Sequence, residues 1–462
     1  MWNFQQLPGP RGKLNAFQRL MYHWSELYPY NATHTFKIAG SVRTDALRQA
    51  ICDTYLLNRV GMVRLVGKRG SYHHETDDAP ELTILPGGAS PEEQLDQHLT
   101  AELNRPFPRP DGRPFRFSVI DVGSAAHYII LTYDHWVADS IATRFILRHV
   151  LGRYLEIEDA ENQRPLLLHP GTFRDVLRGR LSVMRAAKVA LHLLAQWWAS
   201  RNVAQVPYVC SAEMSVQHEV HQTAPGTVCR LVQFARAQDA TVHDVIQAAL
   251  SRAMFQALPR RATAENRELA IGSIVDTRAD SQEDLSESLG VFLAYYLVRC
   301  TPGKNSNLAA LTRQIAETTG PIKSECQYLD SLVHMKLANV AWPWLSGRVR
   351  AHIMRKMMPI TAGISNVRLH DSWINRYRDG RILDYSRGAP TGPLLPLVLT
   401  PTTLSGQMNV GVTYRAMGFS RAKIDAVMSA LLEQIEHPDG GLREWHIHRD
   451  ICATPELNAT AF

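Results

Sequence analysis

Two long apolar stretches, residues 115–122 and 127–133, predict neighbouring buried strands in the first third of the chain. The second stretch ends at an Asp-His pair whose second member is His135, and Asp139 follows four residues later. A segment with helical spacing of its apolar residues then covers residues 141–154. A buried strand that ends at a histidine places the imidazole at a sheet edge, where the chain turns and a cleft can form. An imidazole at such an edge can exchange protons near neutral pH.

The rest of the chain alternates strands and helices. In the first half, the pattern predicts helices over 15–28, from Thr44 or Asp45 to Leu57 and from Pro91 behind a Ser90 cap, a strand over 33–39, and a hairpin of 62–66 with 71–75. In the second half it predicts strands over 227–234, 269–275, from 289, 360–367, 394–400 and 407–414, and helices over 241–258, 305–318, 325–339 and from Ser420 to about 435.

Both halves therefore mix strands and helices, which predicts an α/β (mixed α+β) fold, and they match in element order only. We expect an N-terminal lobe over 1–170, a basic helix and linker over 171–226, and a C-terminal lobe over 227–462, because 462 residues exceed one core. In residues 174–188, basic and apolar side chains alternate at helical spacing, and residues 348–356 are also basic. The first segment is interpreted as a connector, with a docking helix for a membrane surface or a partner as the alternative.

Composition narrows the setting. The six cysteines form no C-x-x-C pair, which favours reduced thiols in a cytoplasm over a disulfide frame or a metal site. The N-terminus lacks the plan of a secretory signal, and no apolar run reaches the roughly 18 residues that span a bilayer. The net charge of +6 indicates a basic surface or a docking face for an acidic partner or phosphate groups. Nucleic acid is not expected as a partner, because the basic residues are not interleaved with aromatic residues in any recognisable module.

Asp139 needs a cationic partner if it is buried, since a buried carboxylate is rarely left unpaired. Arg278, which follows the predicted strand over 269–275, is the candidate partner. Such a pair would join a loop of one lobe to the other. The stretch from Asp134 to Ser140, between a long apolar strand and a helix, resembles the His-His-x-x-x-Asp-Gly motif of the chloramphenicol acetyltransferase-like superfamily. That superfamily includes condensation domains, polyketide-associated acyltransferases and wax ester synthases.

The resemblance extends, in the expected order, over residues 14–59, 106–116, 241–253, 276–292, 363–367 and 407–414. It implies two similar lobes forming a V around a central active-site tunnel. By the resemblance, His135 is the general base, and Asp139 pairs with Arg278 to support the loop. Asp134 stands where the family has its first histidine and Ser140 where it has glycine. Asp134 could therefore alter the pKa of the imidazole or the room beside it.

The implied donor is an acyl-CoA or an acyl group on a phosphopantetheine-bearing carrier protein, the acceptor is a small alcohol or amine, and no cofactor is permanently bound. No G-x-S-x-G elbow is present, so we expect direct transfer without an acyl-enzyme. A hydrogen-bond donor must face the thioester carbonyl, and Asn366, Thr402 and Ser405 are the candidates. Natural-product biosynthesis is the expected setting. A wax ester synthase-like lipid acyltransferase with peripheral membrane contact, and a catalytically impaired scaffold, remain open as alternatives.

A second stretch, His73-His74-Glu-Thr-Asp-Asp78, fits the motif more literally. It follows a glycine turn in a polar context, and no helix is predicted behind it. We therefore interpret it as an exposed hairpin.

Overall fold

The computed structural model describes residues 8–66, 71–75, 80–109, 112–156, 163–168, 202–206, 215–258, 268–303, 307–344, 358–369 and 381–440, and scattered positions between 172 and 198. The basic segment 348–356 lies outside these residues, and so does most of the predicted helix over 174–188.

The α-helices of the described chain are α1 (Ala16–Ser25), α2 (Thr44–Asn58), α3 (Pro91–Asn104), α4 (Ser140–Tyr154), α5 (Thr227–Ala237), α6 (Val242–Ala257), α7 (Leu308–Ser324), α8 (Asp330–Ala341) and α9 (Arg421–Glu436). Its strands are β1 (Pro8–Lys13), β2 (Asn31–Ala39), β3 (Met62–Val66), β4 (Ser71–Glu75), β5 (Glu81–Pro86), β6 (Phe115–Asp121), β7 (Ala126–Asp134), β8 (Leu167–Leu168), β9 (Val216–Gln222), β10 (Leu269–Asp276), β11 (Ser288–Leu289), β12 (Leu293–Cys300), β13 (Ala362–Ile364), β14 (Val367–Arg368), β15 (Ile382–Gly388), β16 (Leu397–Leu404) and β17 (Gln407–Arg415). Short 3₁₀ turns cover Arg278–Asp280, Gln327–Leu329 and Trp342–Trp344.

Two mixed sheets organise the molecule into two lobes, as the α/β pattern predicts. The N-terminal sheet has the strand order β15-β2-β7-β6-β5, in which only β5 and β6 pair in parallel. The C-terminal sheet has the order β12-β10-β13-β16-β17-β9, and β14 also pairs with β16. Each sheet has its own apolar core, although residues 285–294 and parts of α8 pack into the N-terminal one.

Strand β7 is the centre of the N-terminal sheet. Every one of its residues is buried, because β2 and β6 pair with its two edges and both of its faces are covered. Its last residue, Asp134, pairs with Asn31 of β2. The strand thus delivers His135 at the edge of the sheet, as its sequence predicts.

Two local predictions are corrected by the structure, and one strand that matters for the site was missed. Residues 227–234 form helix α5 rather than a strand, because the buried side chains of Leu231, Val232, Phe234 and Ala235 follow a helical period and not an alternation. The predicted linker over 203–226 contains strand β9, which pairs with β17. Strand β15 was not predicted at all.

Strand β15 crosses from the C-terminal half of the chain to the edge of the N-terminal sheet, where it pairs with β2. Two threonines of β16 also bind β15. Thr400 Oγ1 donates to the carbonyl of Arg387 at 2.6 Å, and Thr402 Oγ1 donates to the carbonyl of Tyr385 at 3.1 Å. The domain boundaries at residues 170 and 227 stay a prediction. Strand β9, from the predicted linker, pairs in the C-terminal sheet, and β15, from the predicted C-terminal lobe, pairs in the N-terminal sheet.

No helix among the described residues is long and apolar enough to cross a membrane. Cys52, Cys300 and Cys326 are free thiols, but Cys229 is disulfide-bonded, so the expectation of reduced thiols is wrong for that residue.

Candidate active site

His135 is held at the end of β7 by its backbone and by two aromatic rings. Its backbone N–H donates to the carbonyl of Tyr30 at 3.1 Å. The centroid of its ring lies 5.8 Å from that of Tyr30 and 5.5 Å from that of Tyr133. The residue is partly exposed, but Nδ1 is buried and makes no hydrogen bond of good geometry. Nε2 is therefore the ring nitrogen available to a substrate.

Burial lowers the pKa of His135 below its ordinary value. The carbonyl groups of His135 itself and of Ala138, and the carboxylate of Asp139, oppose this shift, whereas the guanidinium of Arg387 adds to it. Near neutral pH the imidazole is neutral, which is the form that accepts a proton.

Asp139 joins the loop after β7 to the C-terminal half of the chain. Its side chain is fully buried and receives two N–H groups of Arg278, at 2.9 and 3.0 Å, one on each carboxylate oxygen. The backbone N–H of Phe292 donates to Oδ2 at 2.9 Å, and that of Ala142 donates to Oδ1 at 2.8 Å as the N-terminal cap of α4. The pairing of Asp139 with Arg278 expected from the sequence is therefore present.

Arg278 is itself fixed by several contacts. Nη1 also donates to Asp276 at 2.9 Å, Nη2 donates to the carbonyl of Ser288 at 3.3 Å, and the guanidinium lies 4.6 Å from the ring centroid of Phe292. A bidentate, hydrogen-bonded pair of this kind holds the loop of His135 in one position relative to β10 and β11.

A second connection, which the sequence reasoning missed, runs through Arg387 of β15. Its Nη1 donates to Ser140 Oγ at 2.8 Å, and its Nη2 donates to the carbonyl of Ser365. Ser140 is the first residue of α4 and does not have a positive φ, so the position does not require the glycine of the family motif. No local pattern marked Arg387, because its role depends on the crossing of β15.

Asp134 belongs to the opposite side of β7. Its Oδ2 accepts from Arg109 Nη2 at 2.7 Å and from Trp136 Nε1 at 2.9 Å, and these residues line a small pocket together with Tyr22 and Phe107. Burial raises the pKa of Asp134, and Arg109 opposes the shift. The carboxylate that acts on the pKa of His135 is that of Asp139, whereas Asp134 binds Arg109 and Trp136; an effect of Asp134 on the imidazole stays a prediction. Successive residues of an extended chain point to opposite faces, which explains the separation.

The three candidate oxyanion donors have different surroundings. Thr402 Oγ1 is buried and already donates to the carbonyl of Tyr385 within the sheet, so it is unavailable to a thioester. Ser405 lies exposed in the turn between β16 and β17 with a φ of 49°. Asn366 is partly buried, follows the residue whose carbonyl binds Arg387, and has a buried Oδ1 without a partner. Asn366 alone of the three remains a candidate.

The literal motif at His73-His74 is not the exposed hairpin expected from its polar context. It lies on β4, which is the middle strand of a three-stranded sheet because β1 covers its second edge. His74 is fully buried, and His73 Nε2 lies 3.1 Å from Glu75 Oε1. No group of three His, Cys, Asp or Glu side chains in the described part of the chain is arranged to hold a metal.

Comparison with solved structures shows the same fold. The chain is similar to the trichothecene 15-O-acetyltransferase TRI3 from Fusarium sporotrichioides, at 12% identity and a TM-score of 0.66, over 92% of this chain and 95% of the other. It is also similar to the first condensation domain of the calcium-dependent antibiotic synthetase in complex with a substrate analogue, at 13% identity and a TM-score of 0.63, over 94% and 97%. A third similar structure is the starter condensation domain of rhizomide synthetase with C8-CoA and Leu-SNAC, at 14% identity and a TM-score of 0.59, over 92% and 94%.

No curated protein matches the sequence significantly. The model of the family described as "Condensation domain", however, matches residues 13–329, which is more than half of the chain and includes the loop of His135 and its Asp139–Arg278 pair. With the two-lobed fold, this match means that the chain belongs to the condensation-domain family of transferases.

Proposed function

We propose that the protein transfers an acyl group from a CoA or carrier-protein thioester to an alcohol or amine, with His135 as the general base. The observation that carries the proposal is the position of His135, which follows the end of β7, is partly exposed and is fixed by its backbone, while burial lowers its pKa and so favours the neutral ring. A neutral imidazole in this position can take a proton from an acceptor as it attacks.

The thioester is already activated, so the reaction needs a base and a site for the charge that develops on the carbonyl oxygen. His135 Nε2 takes the proton of the hydroxyl or amine while the acceptor oxygen or nitrogen bonds to the thioester carbon. When the carbon–sulfur bond breaks, the thiolate leaves and takes up the proton from the imidazolium. The acceptor is thereby acylated and the donor thiol is released, without an oxidant, a reductant or an acyl-enzyme.

Asn366 is proposed as the oxyanion donor. Its side-chain amide can donate a hydrogen bond, and the Ser140–Arg387–Ser365 contacts connect its segment to the start of α4. Asp139 and Arg278 act as positioning residues, because they hold the loop and do not need to touch the reacting atoms. A donor of this kind typically contributes two to three orders of magnitude in rate.

The test is thiol release from acyl-CoA and acyl-carrier donors offered mixed alcohols and amines. The complexes of the rhizomide synthetase domain, which contain C8-CoA and Leu-SNAC, suggest medium-chain acyl-CoA and aminoacyl thioesters for the panel. We expect turnover to fall at least about a hundredfold in His135→Ala, the lower range of general-base effects. His73→Ala is the matched control, since it removes a histidine of the literal motif and should retain activity.

Equal turnover in wild type and His135→Ala would refute the mechanism. Loss of activity in His73→Ala but not in His135→Ala would move the base to β4. Absence of thiol release from every donor in the panel would contradict the proposed donor class.

A further inference from the structure

A buried cluster of basic groups lies near His135 and has no acidic partner in the part of the chain that the structure describes. We define the Arg387 cluster as Arg387, Arg144, His34 and Tyr385. Arg387 is 4% exposed and His34 is fully buried, whereas Arg144 on α4 is partly exposed. His34 Nδ1 lies 2.7 Å from Tyr385 Oη, and Arg387 of β15 lies directly opposite His34 of β2. The cluster is thus formed only where β15 joins the N-terminal sheet.

The two arginines of the cluster bind neutral groups only. Arg387 donates to Ser140 Oγ and to the carbonyl of Ser365, and Arg144 donates to the carbonyl of Ser140 at 3.4 Å. Within the described residues, no carboxylate makes an ion pair with either guanidinium. Arg387 Nε and His34 Nε2 are buried and lack a hydrogen-bond partner. Buried polar groups without a protein partner are rare in native proteins, and an ordered water or an ion can satisfy them.

Two other buried arginines show what this chain does elsewhere. Arg116, at 7% exposure, has Glu102 at 2.9 Å, and Arg278, at 7%, has Asp139 at 2.9 Å. Burying a guanidinium is costly unless it is paired with an anion. The Arg387 cluster departs from this arrangement, because it contains two arginines and no carboxylate among the described residues pairs with either.

The electrostatics agree with the geometry. The pKa of His34 is lowered first by burial and then by Arg387, Arg144 and His135, so all three of these groups act on the buried imidazole. The pKa of Arg387 is likewise lowered by burial and by Arg144. An anion bound here would relieve both the desolvation and the mutual repulsion.

The cluster is also close to the base. The ring of Tyr133 lies between the two sites, with its centroid 5.5 Å from that of His135 and 5.6 Å from that of His34. Ser140, which receives Arg387, directly follows Asp139 of the loop. The base and the cluster are thus separated by a single aromatic ring.

We propose that the Arg387 cluster binds a carboxylate of the acceptor, so that the acceptor is a hydroxy or amino acid rather than a neutral alcohol or amine. This inference rests on the proposed function. A carboxylate suits two adjacent guanidinium groups, which bind it through paired N–H donors. The phosphate of a phosphopantetheine arm fits less well, because the whole pantetheine chain separates it from the reacting sulfur. A carboxylate on the acyl group shares this chemistry and is separated by the test.

The test measures binding to the complete chain without a thioester, so it does not depend on turnover. Isothermal titration at constant chloride compares 2-hydroxy and 2-amino carboxylates with their primary amides, and pantetheine thioethers bearing a carboxylate on the chain with their methyl esters. We expect the acceptor-type carboxylates to bind at least tenfold more tightly than their amides. This preference should disappear in Arg387→Met and in Arg144→Met.

Arg144→Met guards against a folding defect, since Arg144 is partly exposed and makes one long hydrogen bond. Arg148→Met is the matched control on the same helix, because Arg148 is paired with Glu287, and it should keep the preference. Equal binding of carboxylates and amides, or a preference that survives in Arg144→Met, would overturn the proposal. A preference found only with the pantetheine compounds would assign the carboxylate to the donor and overturn the acceptor assignment.

Discussion

Breaking the connection between Asp139 and Arg278 tests whether the loop of His135 is held by the opposite half of the chain. The change is Arg278→Met, which keeps the length and the apolar part of the side chain but removes both hydrogen bonds to Asp139. Asp139 is fully buried, so its charge would lose its cationic partner without gaining water.

The expected cost follows from what remains around the carboxylate. Removing one partner of a buried pair usually costs about 3–5 kcal/mol, because the other charge stays buried. The backbone N–H groups of Ala142 and Phe292 still donate to Asp139, and the N-terminus of α4 still favours a negative charge there. We therefore expect the lower end of the range, about 3 kcal/mol, which corresponds to roughly a hundredfold change in an opening equilibrium.

Amide hydrogen exchange at Ala142 and Phe292 gives a local readout of that equilibrium. Both amides should exchange roughly a hundredfold faster in Arg278→Met, and kcat should fall because the loop of His135 is released. Arg299→Met is the control: its pair with Glu268 spans 3.6 Å and both side chains are more than a third exposed, so it should change little. The double variant Asp139→Asn/Arg278→Met should exchange more slowly than Arg278→Met alone, since no buried charge remains.

Exchange in Arg278→Met as slow as in Arg299→Met would refute the reasoning, because it would mean that the buried carboxylate does not need its cation. Faster exchange without loss of kcat would separate the stability of the loop from its role in positioning His135.

Three further changes test other parts of the structure. Burial lowers the pKa of His135, and the neutral ring is the base. We therefore expect kcat/KM to stay level from neutral pH to below about 6.5 and to fall only as the pH drops through that lowered pKa. A decline centred at or above about 6.5 would contradict this. Asp134→Asn should destabilise the fold by about 1–3 kcal/mol in urea unfolding, because Arg109 loses its anion. The pH profile of activity should not change; a shifted profile would mean that Asp134 acts on the imidazole. Gly411→Ala should lower the thermal midpoint strongly, because its Cβ would lie 2.4 Å from the backbone of β15. The control Gly320→Ala in α7 has open space and should raise stability by about 0.4–1 kcal/mol. Equal midpoints of the two variants would show that β15 shifts at no cost.

Much of the secondary structure follows from local patterns alone. Helix α6 begins where its sequence indicates, with Thr241 and Asp244 forming a capping box, and β3 and β4 form the predicted hairpin. Strand β7 and the position of His135 at its end were also predicted, because a continuous apolar run followed by a polar pair and a helical period has few other interpretations. The apolar residues of 227–234 were interpreted as a strand, but their spacing belongs to a helix.

The pairing of Asp139 with Arg278 came from the need of a buried carboxylate for a cation and from the resemblance to the family, since 139 positions separate the two residues. No pattern in the sequence indicated that Arg387 binds Ser140. Its strand is short and partly polar, and its register is decided by β2, which lies some 350 residues away in the chain. Whether Thr402 or Asn366 could face a substrate likewise depended on which backbone groups each side chain meets in the folded sheet.

By itself, then, the sequence determined the α/β elements, the strand that ends at His135 and the chemistry that this residue can perform, because periodicity, capping and side-chain type are local properties. Only the tertiary structure decided that β15 crosses to the N-terminal sheet, that Asp134 pairs with Arg109 and that Arg387 is buried beside His34 with no carboxylate partner among the described residues. These features depend on contacts between distant segments, and such contacts form only when both cores have packed.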